Sequence, residues 1–359
     1  MLEGCDCMRR RLHRRERKRR RKIIIMCIIL VFLGLCNGYA AFSTGVSLSV
    51  KGNIVYKTIT VSELKSNSVT FGDGLYEDYT MEGRYIYRGI NPNNYIKLGD
   101  DMYRIIAIEK DNTLKVVRDK SVGGMMLDNM AGVDSRESTN SNDYCYNYYG
   151  STYYGCNVWG SKTTMLDKNE NNVTAIQNYN LPEKEATLNT YLNNDWYGGL
   201  DESVKNVIVS HTFNVGTILN ERSISDVIMA EQTYKWRGNI GIINVSDYLK
   251  ANTNTEKCGS ITQNMGGTDN VMACSNFNWM CLAFGKNYFW TINPADYRWP
   301  VQWIYLDDYG SLTGLYNGSS VGGGSLCGVV PMFCISPAIK ILGLGTNDAP
   351  YVVCNIDNK

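Results

Sequence analysis

Apolar and polar positions divide the chain into a strongly biased front and a body of short alternating runs. Residues 23–36 read IIIMCIILVFLGLC without a polar interruption, and the closing residues APYVVCNIDNK hold no second run of that kind. Residues 103–109 and 113–118 are strand-length stretches joined by Lys110, Asp111 and Asn112, which predicts a hairpin. Leu188, Tyr191 and Leu192 stand at i, i+3 and i+4 within 186–194, and Val204, Val207 and Ile208 repeat that spacing within 201–209; each predicts a short helix. Residues 240–243 read as a strand and 244–250 as a helix opened by a polar cap. The last third is mostly strand, over 288–292, 301–306, 312–316, 328–335 and 338–342. Between 128 and 180 the periodicity nearly vanishes and Asn, Ser, Gly and Tyr dominate, the pattern of a long insertion. Short helices, short strands and long loops predict an α+β fold with small antiparallel sheets.

Charge sharpens the division. The formal net charge of +1 is the sum of residues 1–22, with eleven Lys/Arg against three acids, and a remainder with 25 Lys/Arg against 32 Asp/Glu. An acidic body argues against nucleic acid as a partner. Basic residues ahead of an apolar run are the positive-inside signature, so the tail is expected in the cytoplasm and the body outside. The fourteen residues of 23–36 suit a signal peptide, with Gly38 and Ala40 placed for a cut before Ala41. Counted through Phe42 the stretch has twenty residues, enough to span about 30 Å of bilayer. Both outcomes stay open: a single-pass membrane protein with its N-terminus inside, or a secreted chain cleaved near Ala40. The expected organisation is a basic tail at 1–22, a signal or transmembrane segment at 23–42, a stalk or small β segment at 43–82, and the main extracellular domain at 83–359.

Of the twelve cysteines, eight lie in the body: Cys145, Cys156, Cys258, Cys274, Cys281, Cys327, Cys334 and Cys354. An even set in an exported body predicts disulfides, with the sequence neighbours Cys145–Cys156 and Cys258–Cys274 as the expected pairs. The body has no C-x-x-C spacing, so bridges are favoured over a metal site, and no cofactor is expected.

Candidate chemistry is sparse. There is no phosphate-binding glycine loop of the G-x-x-x-x-G-K-[ST] form, no H-E-x-x-H and no G-x-S-x-G. Asp307 and Asp308 stand between two strand-like runs and read as a hairpin turn. His211, the only histidine outside the tail, follows a helical run and reads as a dipole-favoured residue near a helix C-terminus rather than as a general base. The best functional signal is a loop. Residues 144–154 hold six tyrosines, five of them between Cys145 and Cys156, interleaved with Asn, Ser, Gly and Thr. Tyrosine gives a large amphipathic face at low entropic cost, as in antibody binding loops. The ligand-binding candidates are Tyr146, Tyr148, Tyr149, Tyr153 and Tyr154. Tyr297 and Trp299, in a segment bracketed by Pro294 and Pro300, join them as possible sugar-stacking residues. Trp290 and Trp303 lie in strand runs and read as core.

Two resemblances add to this reading. Tyr39-Ala-Ala-Phe-Ser43 followed by the alternating Val46-Ser-Leu-Ser-Val50 resembles the export signal and first strand of camelysin-like biofilm-fibre subunits. Gly83-Arg-Tyr-Ile-Tyr-Arg-Gly-Ile-Asn-Pro-Asn-Asn-Tyr-Ile96 and Met102-Tyr-Arg-Ile-Ile-Ala-Ile108 resemble the opening of an uncharacterised surface-domain family of low-GC Gram-positive bacteria. Leu188-Asn-Thr-Tyr-Leu-Asn193, Val209-Ser-His-Thr212, Tyr288-Phe-Trp-Thr-Ile-Asn-Pro294 and Gly328-Val-Val-Pro331 match its later words. Val330 stands where that family usually has Arg, and Asn293 where it has Ser. The family is similar to C-type-lectin-like domains and, more distantly, to formylglycine-generating enzymes, which implies a C-type-lectin-like architecture from about 83 to 354. The expectation is a non-enzymatic surface protein that binds a glycan or protein and meets the membrane through its N-terminal segment. The alternatives are a secreted fibre subunit or a copper-dependent oxidase. The oxidase would need Cys327 and Cys334 to cooperate, and a separation of seven on one strand puts them on opposite faces.

Overall fold

A computed structural model of the chain describes residues 57–128, 136–146, 156–219, 223–254, 277–284, 289–294, 303–306, 312–314 and 327–354. The apolar run at 23–42 lies outside them, and among the described residues no helix is long and apolar enough to cross a membrane.

The first half of the body is a ladder of neighbouring strands: β1 (Ile59–Thr60), β2 (Gly74–Glu77), β3 (Tyr85–Arg88), β4 (Tyr95–Leu98), β5 (Asp101–Ile108) and β6 (Leu114–Arg118). Between β5 and β6 the chain turns where the sequence places its turn residues, with Asn112 at φ 66°. Next come β7 (Gly124–Met125), β8 (Met165–Asp167), β9 (Ala175–Ile176) and β10 (Tyr179–Asn180), then β11 (Ile208–Val209), β12 (His211–Asn214), β13 (Tyr234–Gly238) and β14 (Ile240–Gly241). The last third supplies β15 (Phe289–Pro294), β16 (Trp303–Leu306), β17 (Leu312–Gly314), β18 (Cys327–Gly328), β19 (Met332–Ile335), β20 (Lys340–Leu342) and β21 (Tyr351–Cys354). The helices are short: α1 (Val61–Lys65), α2 (Thr187–Thr190, continued by a π-helical stretch to Trp196), α3 (Glu202–Lys205), α4 (Ile224–Glu231), α5 (Val245–Lys250) and α6 (Trp279–Phe284). The fold is mixed α+β and dominated by sheet.

The largest sheet has eleven strands along the path β1-β20-β21-β4-β5-β6-β19-β11, with β14 also on β19 and β2 reaching β5 through β3. Its centre is buried on both faces, since every residue of β5 from Tyr103 onward is buried, which is why this stretch reads as continuous rather than alternating. A second sheet orders β12-β13-β8 and a third orders β17-β16-β15-β18-β7. The chain passes from the main sheet into the second between β11 and β12 and returns between β13 and β14.

Several expectations are corrected. Residues 57–82 are no stalk: β1 pairs with β20, β2 pairs with β3, and Val61 and Leu64 of α1 are buried in the core. Thr60 opens α1 through a capping box with Glu63, so Val61 starts a helix. Nor is 128–180 an insertion, because Tyr144, Val158, Trp159 and Met165 are core residues and β8 pairs with β13. The helix expected over 201–209 stops at Lys205, and His211 therefore lies in strand β12 rather than at a helix end. The strand expected over 328–335 is two strands in two sheets, which separates Cys327 from Cys334 more thoroughly than strand alternation does. Val330 and Asn293 are both buried. Asn293 accepts hydrogen bonds from the Asn244 amide and from Val245 N, both at 3.1 Å, and donates to the carbonyls of Asn214 and Gly216.

A buried network of charges crosses this frame. Arg84 donates to Asp78 at 2.7 Å, to Asp247 at 2.9 Å and to Glu109 at 3.0 Å. Lys115 donates to the second oxygen of Asp247, and Lys250 donates to Asp78 at 2.8 Å. Burial alone would raise the three carboxyls, but Arg84 and the lysines outweigh it and hold all three below their usual range. Glu231 on α4 is different. It accepts from Ser246 N and the Ser246 hydroxyl at the start of α5. Burial, with Asp247 nearby, pushes its carboxyl up to about 7.

Two outcomes follow. Asp247→Ala strands Arg84 and Lys115 in the interior and is expected to cost about 3–5 kcal/mol in urea unfolding. Lys57→Ala, which breaks an exposed pair with Glu63, should leave the midpoint in place. The second outcome concerns pH. The folded state keeps a proton on Glu231 that the unfolded chain releases above 4.5, so this group removes stability as pH rises from 4.5 to about 7. Glu231→Gln should gain on the order of 3 kcal/mol over the parent at pH 8 and nothing at pH 4, measured by urea titration. The network carboxylates act with the opposite sign: their stabilisation is lost as pH falls below their unfolded values.

Candidate functional site

The tyrosine-rich loop is anchored from below. Asp128 and Arg136 form a fully buried pair at 3.0 Å. Arg136 then donates to the carbonyls of Cys156 at 2.6 Å and Val158 at 2.7 Å, while Asp128 accepts from Cys156 N at 2.8 Å. Beyond the contact between them, the pair reaches the backbone of Cys156 from both sides, which fixes where the second cysteine sits. The first cysteine is fixed by the segment before it. Ser138 N donates to the Cys145 carbonyl, and Asp143 accepts from the Ser138 hydroxyl at 2.6 Å and the Asn180 amide at 3.0 Å. Those two hydrogen bonds hold the Asp143 carboxyl below its ordinary value. With both ends placed, Cys145 and Cys156 are bridged, their Cα atoms 5.2 Å apart. The bridge predicted from sequence is present.

Beside the bridge opens a groove of about 760 Å³. Its lining includes Cys145, Ser138, Asp143, Thr163, Thr174, Asn180 and Pro182, with Arg136, Glu137, Lys162, Glu183 and Lys184 supplying charge of both signs. Lys162 and Glu183 are paired with each other. The lining offers hydroxyls, an amide, both charges and a little apolar surface. Such a surface recognises hydroxyl-rich or polypeptide ligands through many moderate contacts.

The sequence-derived candidates are distributed unevenly. Tyr146 is partly exposed at the first edge of the loop. Tyr148, Tyr149, Tyr153, Tyr154, Tyr297 and Trp299 lie outside the described residues, as do Cys258, Cys274, Asp307 and Asp308. The strands flanking Asp307 and Asp308, β16 and β17, pair antiparallel in hairpin register. Trp290 is buried and its indole donates to the Met125 carbonyl at 2.8 Å. Cys281, Cys327 and Cys334 are buried, and burial pushes Cys327 up to about 12 and raises Cys334 as well. Sequence reasoning missed Asp128 and Arg136. No local signal set them apart, since Asp134 and Glu137 stand as close to Arg136 in the sequence as any partner would.

No protein-family model matches the chain, and neither does any curated protein or solved structure.

The bridge closes a loop of eleven residues' separation. Replacing both cysteines by Ser should therefore lower stability by about 3 kcal/mol on the chain-entropy account. The same loss should appear in the parent protein on adding reductant, read by thermal unfolding; an unchanged midpoint in both would show that the bridge does not constrain the loop.

Proposed function

We propose that the chain is an exported, envelope-attached binding or adhesion module without enzymatic activity, taking a glycan or protein ligand at the groove beside Cys145, where the tyrosine-rich segment begins. The observation that carries this reading is the Cys145–Cys156 bridge on the wall of that groove. A loop closed at its base has less freedom to lose on binding, and tyrosines among Ser, Gly and Asn are the composition that exploits it. A bridge also belongs to an oxidising compartment, in keeping with a basic tail and apolar run that place the body outside. In this reading residues 23–42 hold the membrane with the N-terminus inside, and cleavage near Ala40 releases the body. The mixture of short helices, short strands and long irregular stretches supports a C-type-lectin-like architecture of the Gram-positive surface-domain kind, although the main sheet, with eleven strands and a parallel pairing of β21 with β4, is larger than the small antiparallel sheets expected. Raised thiols at Cys327 and Cys334 suit packing better than the thiolate chemistry of a copper oxidase.

The test begins with non-reducing mass spectrometry of the protein recovered from membrane and medium fractions of its native cells. An intact chain in the membrane, or one starting at Ala41 in the medium, with Cys145 bridged to Cys156 is expected. Free thiols at both positions would overturn the compartment argument. The recovered protein should then bind a glycan or protein in array and pull-down formats. The double variant Tyr148→Ala/Tyr149→Ala should weaken that binding at least tenfold, the scale of lost aromatic anchors; full affinity in the variant would remove the loop from the site.

A further inference from the structure

A second cavity lies apart from the groove and shares none of its lining residues. It is a chamber of about 140 Å³ enclosed by the ends of β5 and β6, strand β12 and helices α4 and α5. Met81, Thr212, Asn214 and Gln232 line both this chamber and an open outer groove of about 580 Å³, so the two are continuous. A narrow inner space behind a wide entrance is the form of a site that takes the end of a larger ligand.

The chamber wall divides into groups that are used up and groups that are not. Arg84, Lys115 and Asp247 spend their polar atoms on one another, and Glu231 is held by Ser246. By contrast, Glu109 gives only Oε2 to Arg84, leaving Oε1 without a hydrogen bond among the described residues. The side-chain amides of Asn214 and Gln232 and both ring nitrogens of His211 are likewise without a partner among them. Burial, reinforced by Lys115, holds the His211 imidazole below its usual range, so near pH 7 it is neutral and offers one donor and one acceptor. The unspent set is therefore a carboxylate oxygen, two amides and a neutral imidazole, mixing donors with acceptors. Phe213 and Ile228 add apolar surface.

Charge narrows the ligand. The wall cations Arg84, Lys115 and Lys250 are matched by Glu109 and Asp247 on the wall and by Asp78 behind it. Glu231, the third carboxyl on the wall, is pushed up to about 7, so below that pH the wall presents no surplus for an ion to neutralise. A group that both donates and accepts at each contact, on a compact skeleton with apolar faces, is a hydroxyl on a sugar ring. We propose that this chamber and its outer groove form a second ligand site that takes the hydroxyl-bearing edge of a neutral saccharide. Glu109, His211, Asn214 and Gln232 make the polar contacts, and the remainder of the saccharide lies in the outer groove. The site stands whether or not the tyrosine-loop groove binds a ligand.

The chain has two histidines, His13 and His211, which makes imidazole resonances a direct probe. Full-length protein in detergent, labelled at histidine, is titrated with glucose, galactose, N-acetylglucosamine and mannitol, and separately with sulfate and ammonium. His211→Asn assigns the signals. The expected result is a saturable shift of the His211 resonances with at least one neutral saccharide. Gln232→Ala and Asn214→Ala should each weaken it three- to tenfold without moving the thermal midpoint, because neither side chain hydrogen-bonds to another of the described residues. A shift produced only by sulfate or ammonium would overturn the proposal, as would no shift with any of the four saccharides. Retained affinity in both amide variants would do the same. Saccharide binding abolished by Tyr148→Ala/Tyr149→Ala with His211 unmoved would assign it to the other groove and reject this one.

Discussion

The fold depends on one guanidinium. Arg84 touches three carboxylates that come from distant parts of the chain: Asp78 on the turn before β3, Glu109 at the end of β5, and Asp247 in α5. Taking so many charges out of water is costly, and only full mutual satisfaction makes the arrangement tolerable. Lys115 completes it by reaching the remaining oxygen of Asp247, and Lys250 joins Arg84 on one oxygen of Asp78 while Thr80 holds the other. The consequence is registration. The N-terminal ribbon, the central strand pair and α5 must sit at one relative position or leave a charge unpaired. Apolar packing alone does not impose so sharp a requirement, since a hydrophobic core tolerates small shifts at modest cost.

That requirement also explains which parts were legible in the sequence. The hairpin of β5 and β6 was readable because its turn residues and strand lengths agree, and α5 because a polar cap precedes its first turn. The reading of 43–82 as a stalk or small β segment missed that its described part, 57–82, belongs to the main sheet, because β1 pairs with β20 almost three hundred residues later. Local pattern carries no trace of such a partner. Helix α4 was overlooked although Ser223 and Asp226 spell its cap, and with it Glu231. The buried Arg84, Lys115 and Lys250 look like solvent-facing charges when read one at a time, because periodicity reports the face and says nothing of a partner on another element.

The same logic separates what could be seen of the tyrosine-loop groove from what could not. The bridge and the tyrosines are compositional and stand out in the sequence. The Asp128–Arg136 pair that seats them does not, because its role is to satisfy the backbone of Cys156 and Val158 from across a loop. The base holds the Cys156 end of the tyrosine-rich segment through buried hydrogen bonds. The base can hold geometry while the residues above it change.

The two cavities have a common support. The groove takes Lys162 and Thr163 from the chain entering β8, and the outer groove of the chamber takes Lys168 and Glu170 from the chain leaving it. Strand β8 pairs with β13, and β13 pairs with β12, which carries His211, Thr212 and Asn214 to the chamber. This three-stranded sheet is small, so its position depends on what it packs against. Trp236 of β13 packs edge-on to Trp159, at 6.0 Å between ring centroids, and against Phe213 of β12 at 5.5 Å. Gly238 and Gly160 leave the space these indoles occupy, since a Cβ at either would meet the Trp236 ring below 3 Å. The aromatic stack therefore positions a sheet whose two ends reach two separate cavities. Trp236 is thus one packing support shared by the strands that border both cavities.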